Sequence, residues 1–358
     1  MHSRRIQIEP SWTFRDDEGR GVDPQLFQLL RAIHLDGRLT QASKRIGISY
    51  RHAWNQLNRW SDFFGSDVVA LEKGRGARLT PLGEKLLWAE QRVAARMQPQ
   101  MDNLASEINI ELQRLVDNEK PMLRIHASHG YAVALLPRFS DGIRLDLQYT
   151  SAAEALQALE RRACDVAGFH LPQKIRIPEL RHHYASLIGT EQIVAVRFVS
   201  RQQGLMVAPG NPLGIQGIAD LRRKELKFIN RQGNSGTRLL LDQLLADAAM
   251  DTKAINGFDD QEFTHGAIAA YVAAGMADLG FGVKAAAAQF GLDFIELAVE
   301  DYILLYRKES QTQVGIQAFL EAIRTQEFVN AVEDLAGYSY AGCKELSLAE
   351  YPSMQSNS

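Results

Sequence analysis

Arg231, Ser235, Gly236 and Thr237 fall within one short run, Asn230-Arg231-Gln232-Gly233-Asn234-Ser235-Gly236-Thr237-Arg238. A guanidinium, two hydroxyls and a glycine just ahead of a predicted helix suit an anion. Free N–H groups and the helix dipole attract negative charge there. Gly236 lets the backbone approach closely, and Arg231 or Arg238 adds charge. The plain alternative is an N-cap, since Ser and Thr are favoured at that position anyway. Ser128-His129-Gly130 repeats the logic at the end of a strand, where ligands of open α/β sheets sit. Ser128 offers a hydroxyl; His129 offers a ring N–H or is a surface-loop histidine. His170 follows another short strand and His265 stands near a helix start. Both read as structural before they read as ligand contacts, with His170 the better ligand candidate.

A second group is Ser49, Tyr50, Arg51, His52, Asn55 and Arg59. It lies on the second of two short helices joined by a turn at Gly47. Ala53, Leu57, Trp60 and Phe64 form one apolar stripe at helical spacing. Arg51, Asn55 and Asn58 point the other way, with His52 and Arg59 on the flanks. Such donors meet phosphates and base edges; the plain alternative is a solvated helix face. Two short apolar runs, Val68–Glu72 and Ala77–Leu79, then flank the basic tip Lys73-Gly74-Arg75-Gly76. This is a hairpin by its turn residues, with Lys73, Arg75 and Arg78 placed for DNA phosphates. Helix, helix, turn, helix and basic hairpin together read as a winged helix-turn-helix.

No enzyme is expected. Gly233-Asn234-Ser235-Gly236-Thr237 approaches a nucleophile elbow but ends in Thr237 rather than Gly. Asp259, Asp260 and His265 follow it without triad spacing. No metal-ligand cluster and no Walker or dinucleotide motif is present, so no cofactor is expected.

The elements that must position these groups come from a chain of 358 residues, enough for two or three domains. Net charge is −3, so nucleic-acid binding needs a local basic surface. Gly21–Glu90 is positive by roughly three charges. Cys164 and Cys343 are far apart and read as inert in a reduced setting. The N-terminus lacks a signal-peptide core, and no apolar run approaches the roughly 20 residues of a membrane span. A cytoplasmic protein is expected, without a membrane partner.

Residues 1–80 are expected to form the winged domain. Ile6–Phe14 alternates weakly ahead of a turn at Asp16–Gly19, and Asp23-Pro24 starts the first confident helix. Residues 81–120 are expected to form a long helix, interrupted or kinked at Pro99. Leu86, Val93, Met97, Met101, Leu104, Ile108, Leu112 and Leu115 give it an apolar stripe. A partner helix from a second subunit is the simplest cover, and the C-terminal domain of the same chain the next. A homodimer, or a tetramer, would suit two half-sites on double-stranded DNA. Residues 121–345 alternate strands and helices and read as a parallel α/β sheet. Strands are expected at 192–200, 205–208, 293–297 and 302–307, among others. Residues 346–358 read as a polar tail. Residues 162–169 (RACDVAGF) echo 275–281 (GMADLGF), which points to two similar lobes around a cleft.

From Pro24 to about Leu87 the chain resembles the winged helix-turn-helix of ModE-type molybdate regulators and, more distantly, LysR-type regulators. GRLTQASKRIGISYRHAWNQLN (37–58) and GRGARLTPLGEKLL (74–87) carry that resemblance. The C-terminal part resembles type II periplasmic-binding-protein domains. ASHG (127–130), DVAGFHLP (165–172), NRQGNSGTR (230–238), THGAIAAYVAAGMADLGFG (264–282) and GLDFIEL (291–297) carry this second likeness. It implies a small ligand between closing lobes. Arg231 and Ser235-Gly236-Thr237 match the Arg loop and Ser-Gly-Thr turn of molybdate- and tungstate-binding members. The expected fold is thus multidomain: an α+β winged helix-turn-helix, a long linker helix and a two-lobed α/β sensing domain. The expected function is a DNA-binding regulator whose effector is molybdate or tungstate. Alternatives are formate or another carboxylate, a molybdenum-cofactor-related compound, or a solute-binding protein with no DNA role.

Overall fold

The computed structural model describes residues 6–9, 11, 13–19, 21–72, 76–116, 119–174, 192–233 and 235–346. Its front end is a small helical body. β1 (Phe14–Arg15) and β2 (Gly21–Val22) form a hairpin closed by Gly19 N–H on Asp16 O at 2.9 Å. Among the described residues before Phe14 no further strand forms; Ile6 exchanges two backbone hydrogen bonds with the Asn109 side chain. α1 (Gln25–Asp36) begins where the Asp23 carboxylate accepts from Gln25 N–H, and ends at Gly37. α2 (Leu39–Arg45) and α3 (Tyr50–Phe64) flank the turn at Gly47, whose positive φ suits glycine. Leu26, Leu29, Leu30, Ile33, Leu39, Ala42, Ala53, Leu57 and Trp60 fill one core.

β3 (Val69–Glu72) and β4 (Gly76–Leu79) make the wing, and α4 (Pro81–Val116) follows directly. The junction is tight. Thr80 Oγ1 donates to Asp67 O and accepts from Gly83 N–H. A Cβ on Gly83 would lie 2.0 Å from Val68 O, so the Leu-Thr-Pro-Leu-Gly entry requires glycine there.

α4 runs unbroken through Pro99, so of the expected kink or interruption the interruption does not occur. One of its faces is covered by the C-terminal part of its own chain, where Trp88 packs against Phe290 and Ala105 and Ile110 are buried, while Leu87 sits in the winged-domain core. The cover that ranked second is therefore present. Val93, Leu104, Ile108, Leu112 and Leu115 remain exposed on α4.

The C-terminal part holds β5 (Met122–Ala127), β6 (Arg144–Tyr149), α5 (Ala152–Glu160), β7 (Val166–Pro172) and β8 (Ile193–Val207). Next come β9 (Phe228–Arg231), α6 (Gly236–Asp247), β10 (Gln261–Glu262), α7 (His265–Ala273), β11 (Leu279–Val283) and α8 (Lys284–Gln289). β12 (Asp293–Arg307), α9 (Val314–Ala322), α10 (Gln326–Glu333) and β13 (Tyr338–Glu345) complete it. Strand order is β10-β9-β11-β8-β12-β7-β5-β6, with β13 on β8.

The sheet is mixed rather than parallel. β5 pairs in parallel with β6 and β7, and β9 with β10 and β11, but β8 and β12 are antiparallel to each other and to their neighbours. Each of these two long strands belongs to both lobes. The expected pairs 192–200/205–208 and 293–297/302–307 are each one continuous strand. Gly204 allows the crossing, since a Cβ there would lie 2.0 Å from Ile295 O.

The sequence echo has a structural counterpart. Asp165 N–H donates to Arg124 O at 2.8 Å while its carboxylate accepts from Arg124 N–H at 2.9 Å. Asp278 does the same with Lys227, at 2.8 and 2.7 Å. Arg162 and Gly275, three residues earlier in each case, both have positive φ, near 60°. Each lobe thus uses an Asp to lock the start of a buried parallel strand, and β5 of the first lobe corresponds to β9 of the second.

Candidate functional site

The residues that follow β5 and β9 are the two anion candidates read from the sequence. Ser128 N–H donates to Gly168 O and Ser128 O accepts from Tyr302 OH at 2.9 Å. The His129 ring meets Tyr149 edge-on at 4.8 Å. His170 meets Tyr302 edge-on at 4.5 Å, and a Cβ on Gly130 would come within 3.3 Å of His170 Nε2. From the other lobe, Ser235 caps α6: its Oγ accepts from Arg238 N–H and donates to Gln232 O. The plain N-cap role is therefore filled. Gly236 begins the helix, and the buried Thr237 hydroxyl lies 3.3 Å from Gln203 Nε2 and 3.4 Å from His265 Nε2.

Between these loops the crossing strands contribute three side chains that the sequence reading missed. Arg201 on β8 is 2% exposed; its Nε and Nη2 donate to Glu300 Oε2 of β12 at 3.0 and 2.8 Å. Gln203 Nε2 donates to the same oxygen at 2.7 Å. Arg231 is also buried, and its Nε donates to Gln232 Oε1 at 3.1 Å. His265, read as structural, belongs to this cluster through Thr237.

Charge is unbalanced here. Burial works against the Arg201 charge, but the Glu300 carboxylate overcomes it and holds the guanidinium above its ordinary range. Among the described residues Arg231 has no such ionic partner: burial, then the Arg201 charge, pull it down to about 9, against a smaller upward pull from Glu300. His129 is lowered to about 4 by burial, then by Arg231 and Arg201. His170 and His265 are pushed well below the ordinary histidine value, first by burial and then by Arg201 and Arg231 among other groups. Two guanidiniums and three neutral imidazoles face one carboxylate, which is a setting for an anion.

One consequence is acid lability. A histidine depressed in the fold binds its proton more readily when unfolded, so stability is complete above the ordinary value near 6.5 and falls as pH drops toward 4. His129 alone accounts for on the order of 3 kcal/mol over that window. Thermal melts at stepped pH should show the loss, and His129→Gln should reduce it.

On the winged domain, Tyr50, Arg51, His52, Trp54 and Asn55 are exposed together along α3. Ser49 caps the helix by accepting from His52 N–H. Arg59 donates to Gly21 O at 3.0 Å, so it braces the β2 strand. Arg78 is exposed on β4, while Lys73 and Arg75 lie outside the described residues. Trp54, beside Arg51 and Asn55, was passed over as a surface candidate. Among the described residues, no His, Cys, Asp and Glu group has metal-holding geometry, and no helix is long and apolar enough to cross a membrane.

Comparison with known proteins bears on both ends. A family model described as the PBP superfamily domain matches residues 134–324. The uncharacterized protein YvgK of Bacillus subtilis is 29% identical over 191 residues, 53% of this chain and 61% of YvgK. The DNA-binding transcriptional dual regulator ModE of Escherichia coli is 29% identical over 117 residues, 31% of this chain and 44% of ModE. The molybdenum-pterin-binding protein MopB of Rhodobacter capsulatus is 30% identical over 97 residues, 26% of this chain and 36% of MopB. The chain spans less than two thirds of the length of each of the three. With more than half its length matched by the family model, the chain belongs to the PBP superfamily, carrying a ModE-like winged helix-turn-helix ahead of that domain.

Proposed function

We propose that this chain is a ligand-responsive, DNA-binding transcriptional regulator whose effector is a small anion held between the two lobes. The observation that carries the sensor half is Arg231, a buried guanidinium that among the described residues has no paired carboxylate and lies beside a second guanidinium. A bound anion would supply the missing charge and join Ser128, His129 and His170 of one lobe to Arg231 and Thr237 of the other. Molybdate and tungstate come first by resemblance. An organic anion or a molybdenum-cofactor-related compound is the second reading, favoured by hydrogen-bond acceptors in the cluster that have no partner.

α3 would be the DNA-reading helix, with Arg51 and Asn55 facing the groove and Arg78 at a phosphate. Arg51→Ala should weaken operator binding by about tenfold at matched salt. Fluorescence anisotropy with labelled operator DNA measures this; unchanged affinity would remove α3 from the interface.

α4 links the two ends because it touches both lobes. Arg92 pairs with the fully buried Glu262, Lys85 donates to Ala274 O at 2.7 Å, and Thr264 Oγ1 donates to Ala95 O at 3.1 Å, all in the second lobe. Asn103 exchanges hydrogen bonds with the Tyr149 backbone, and Ser106 Oγ accepts from Leu147 N–H at 2.9 Å, both in the first. Thr264 immediately precedes His265, and Tyr149 packs on His129. Any change in the angle between the lobes is thus passed to α4 next to the ligand cluster. The ligand acts through its unequal affinity for the open and closed lobes. A second copy of the chain would cover the exposed stripe of α4. Val93, Leu104 and Leu115 in that stripe recur every eleven residues, a repeat that keeps one face of a nearly straight helix toward a partner.

A further inference from the structure

We propose that the effector is an anion that also carries a hydrogen-bond donor, an O–H or N–H, and that Glu300 and Gln203 select it. This rests on the cleft being an anion site, and it sets aside molybdate and tungstate, which come first by resemblance alone, in favour of a donor-bearing anion. Three donors converge on one oxygen of Glu300: Arg201 Nε, Arg201 Nη2 and Gln203 Nε2, at 3.0, 2.8 and 2.7 Å. The other oxygen, Oε1, is buried and has no hydrogen-bond partner among the described residues. Gln203 cannot reverse its amide, because its carbonyl would then face a carboxylate. Its Oε1 is therefore fixed as an acceptor, and it too is buried without a partner. Both residues are 0% exposed, on the strands that cross between the lobes, with Thr237 of the anion turn 3.3 Å from the Gln203 amide.

Among the described residues Arg201 Nη1 is a buried donor without a hydrogen-bond partner in the same cluster, with the Tyr338 hydroxyl acting on the same guanidinium. The cluster therefore offers positive donors beside two obligate acceptors. A fully ionised tetraoxoanion has acceptors only. It would satisfy the arginines, leave both acceptors unpaired and set its lone pairs against the Glu300 carboxylate. An anion with a protonated oxygen or nitrogen satisfies both kinds of group. Hydrogen phosphate groups and hydroxylated or aminated carboxylates share this chemistry.

The test is isothermal titration of the full chain, near neutral pH and at matched ionic strength, with matched probes. Phosphate carries a proton where sulfate and molybdate carry none; glycolate carries a hydroxyl that acetate lacks. Phosphate binding about tenfold or more tighter than sulfate and molybdate supports the proposal and assigns the donor to a phosphoryl oxygen. The same margin for glycolate over acetate supports it and assigns the donor to a hydroxylated carboxylate. Sulfate or molybdate binding as tightly as phosphate, with acetate matching glycolate, overturns the donor requirement and leaves the anion site standing. Absence of binding by all five probes overturns both. Glu300→Gln turns its new carbonyl to Arg201 and places an NH2 where Oε1 stood, so the donor preference should fall about tenfold or invert. Gln203→Met leaves the Arg201–Glu300 pair intact and should narrow the same ratio, which guards against loss of folding in Glu300→Gln. An unchanged ratio in a folded variant of either kind contradicts the assignment.

Discussion

Arg231→Met should make the ligand-free protein more stable and, at the same time, abolish its stabilisation by anions. A buried charge without a partner is a cost that an apolar side chain of similar reach removes. Even a buried ion pair replaced by hydrophobic residues is often neutral or gains about 1–4 kcal/mol, and a charge without a paired carboxylate has less to lose. The sign follows from the depressed guanidinium, lowered to about 9 by burial and then by Arg201. The unfolded chain holds this proton more strongly, so the stability advantage of Arg231→Met over the wild type should narrow as pH climbs above about 9. Anion affinity should fall by about 100-fold or more, because the remaining partners lose the charge that closes the site. Thermal melts with and without ligand read both effects. A variant that is less stable without ligand, or is still stabilised by it, would assign Arg231 a purely structural part.

Arg92→Ala should disconnect the sensor from the reading head. Glu262 is fully buried and Arg92 of α4 is its ionic partner. Removing Arg92 strands the carboxylate; because the Arg92 side chain is 34% exposed, the loss should fall below the roughly 3–5 kcal/mol of a fully buried pair. Arg92 also packs over the Tyr271 ring, 4.8 Å from its centroid, so α4 loses part of its hold on α7. The double variant Arg92→Ala with Glu262→Gln should regain much of the stability, since the stranded charge is gone. It should not regain the link between ligand and DNA affinity. A double-mutant cycle on stability, run beside DNA titrations with and without ligand, separates the two effects. Full ligand response in the double variant would mean that the signal does not pass through this contact.

The winged domain was readable because its elements are local. The 3.6-residue spacing of Ala53, Leu57 and Trp60, the cap at Ser49 and the turn at Gly47 each dictate their own surroundings. The repeated Asp of residues 165 and 278 was legible as well, since an identical local lock leaves an identical local sequence. The buried polar cluster on the crossing strands was not. Arg201-Gln202-Gln203-Gly204 and Glu300-Asp301 interrupt apolar runs, and polar residues in a strand pattern normally mark its end. Here they lie mid-strand, buried where two lobes share β8 and β12. Their pairing is long-range, between residues about a hundred positions apart, and no local signal encodes it. The same limit hid β13, which pairs with β8 from the far end of the chain. For α4 the stripe predicted a partner but not which one. Its buried residues meet both lobes of the same chain, while Val93, Leu104 and Leu115 stay on the surface.

An operator-DNA titration of the full chain, with and without saturating anion at fixed ionic strength, tests whether the cleft governs the winged domain. Matched ionic strength matters because added salt alone weakens phosphate contacts. The expected result is a shift of about fivefold or more in DNA affinity, in either direction, present in the wild type and absent in Arg231→Met. Identical DNA-binding curves with a ligand shown to occupy the cleft would contradict a ligand-responsive regulator.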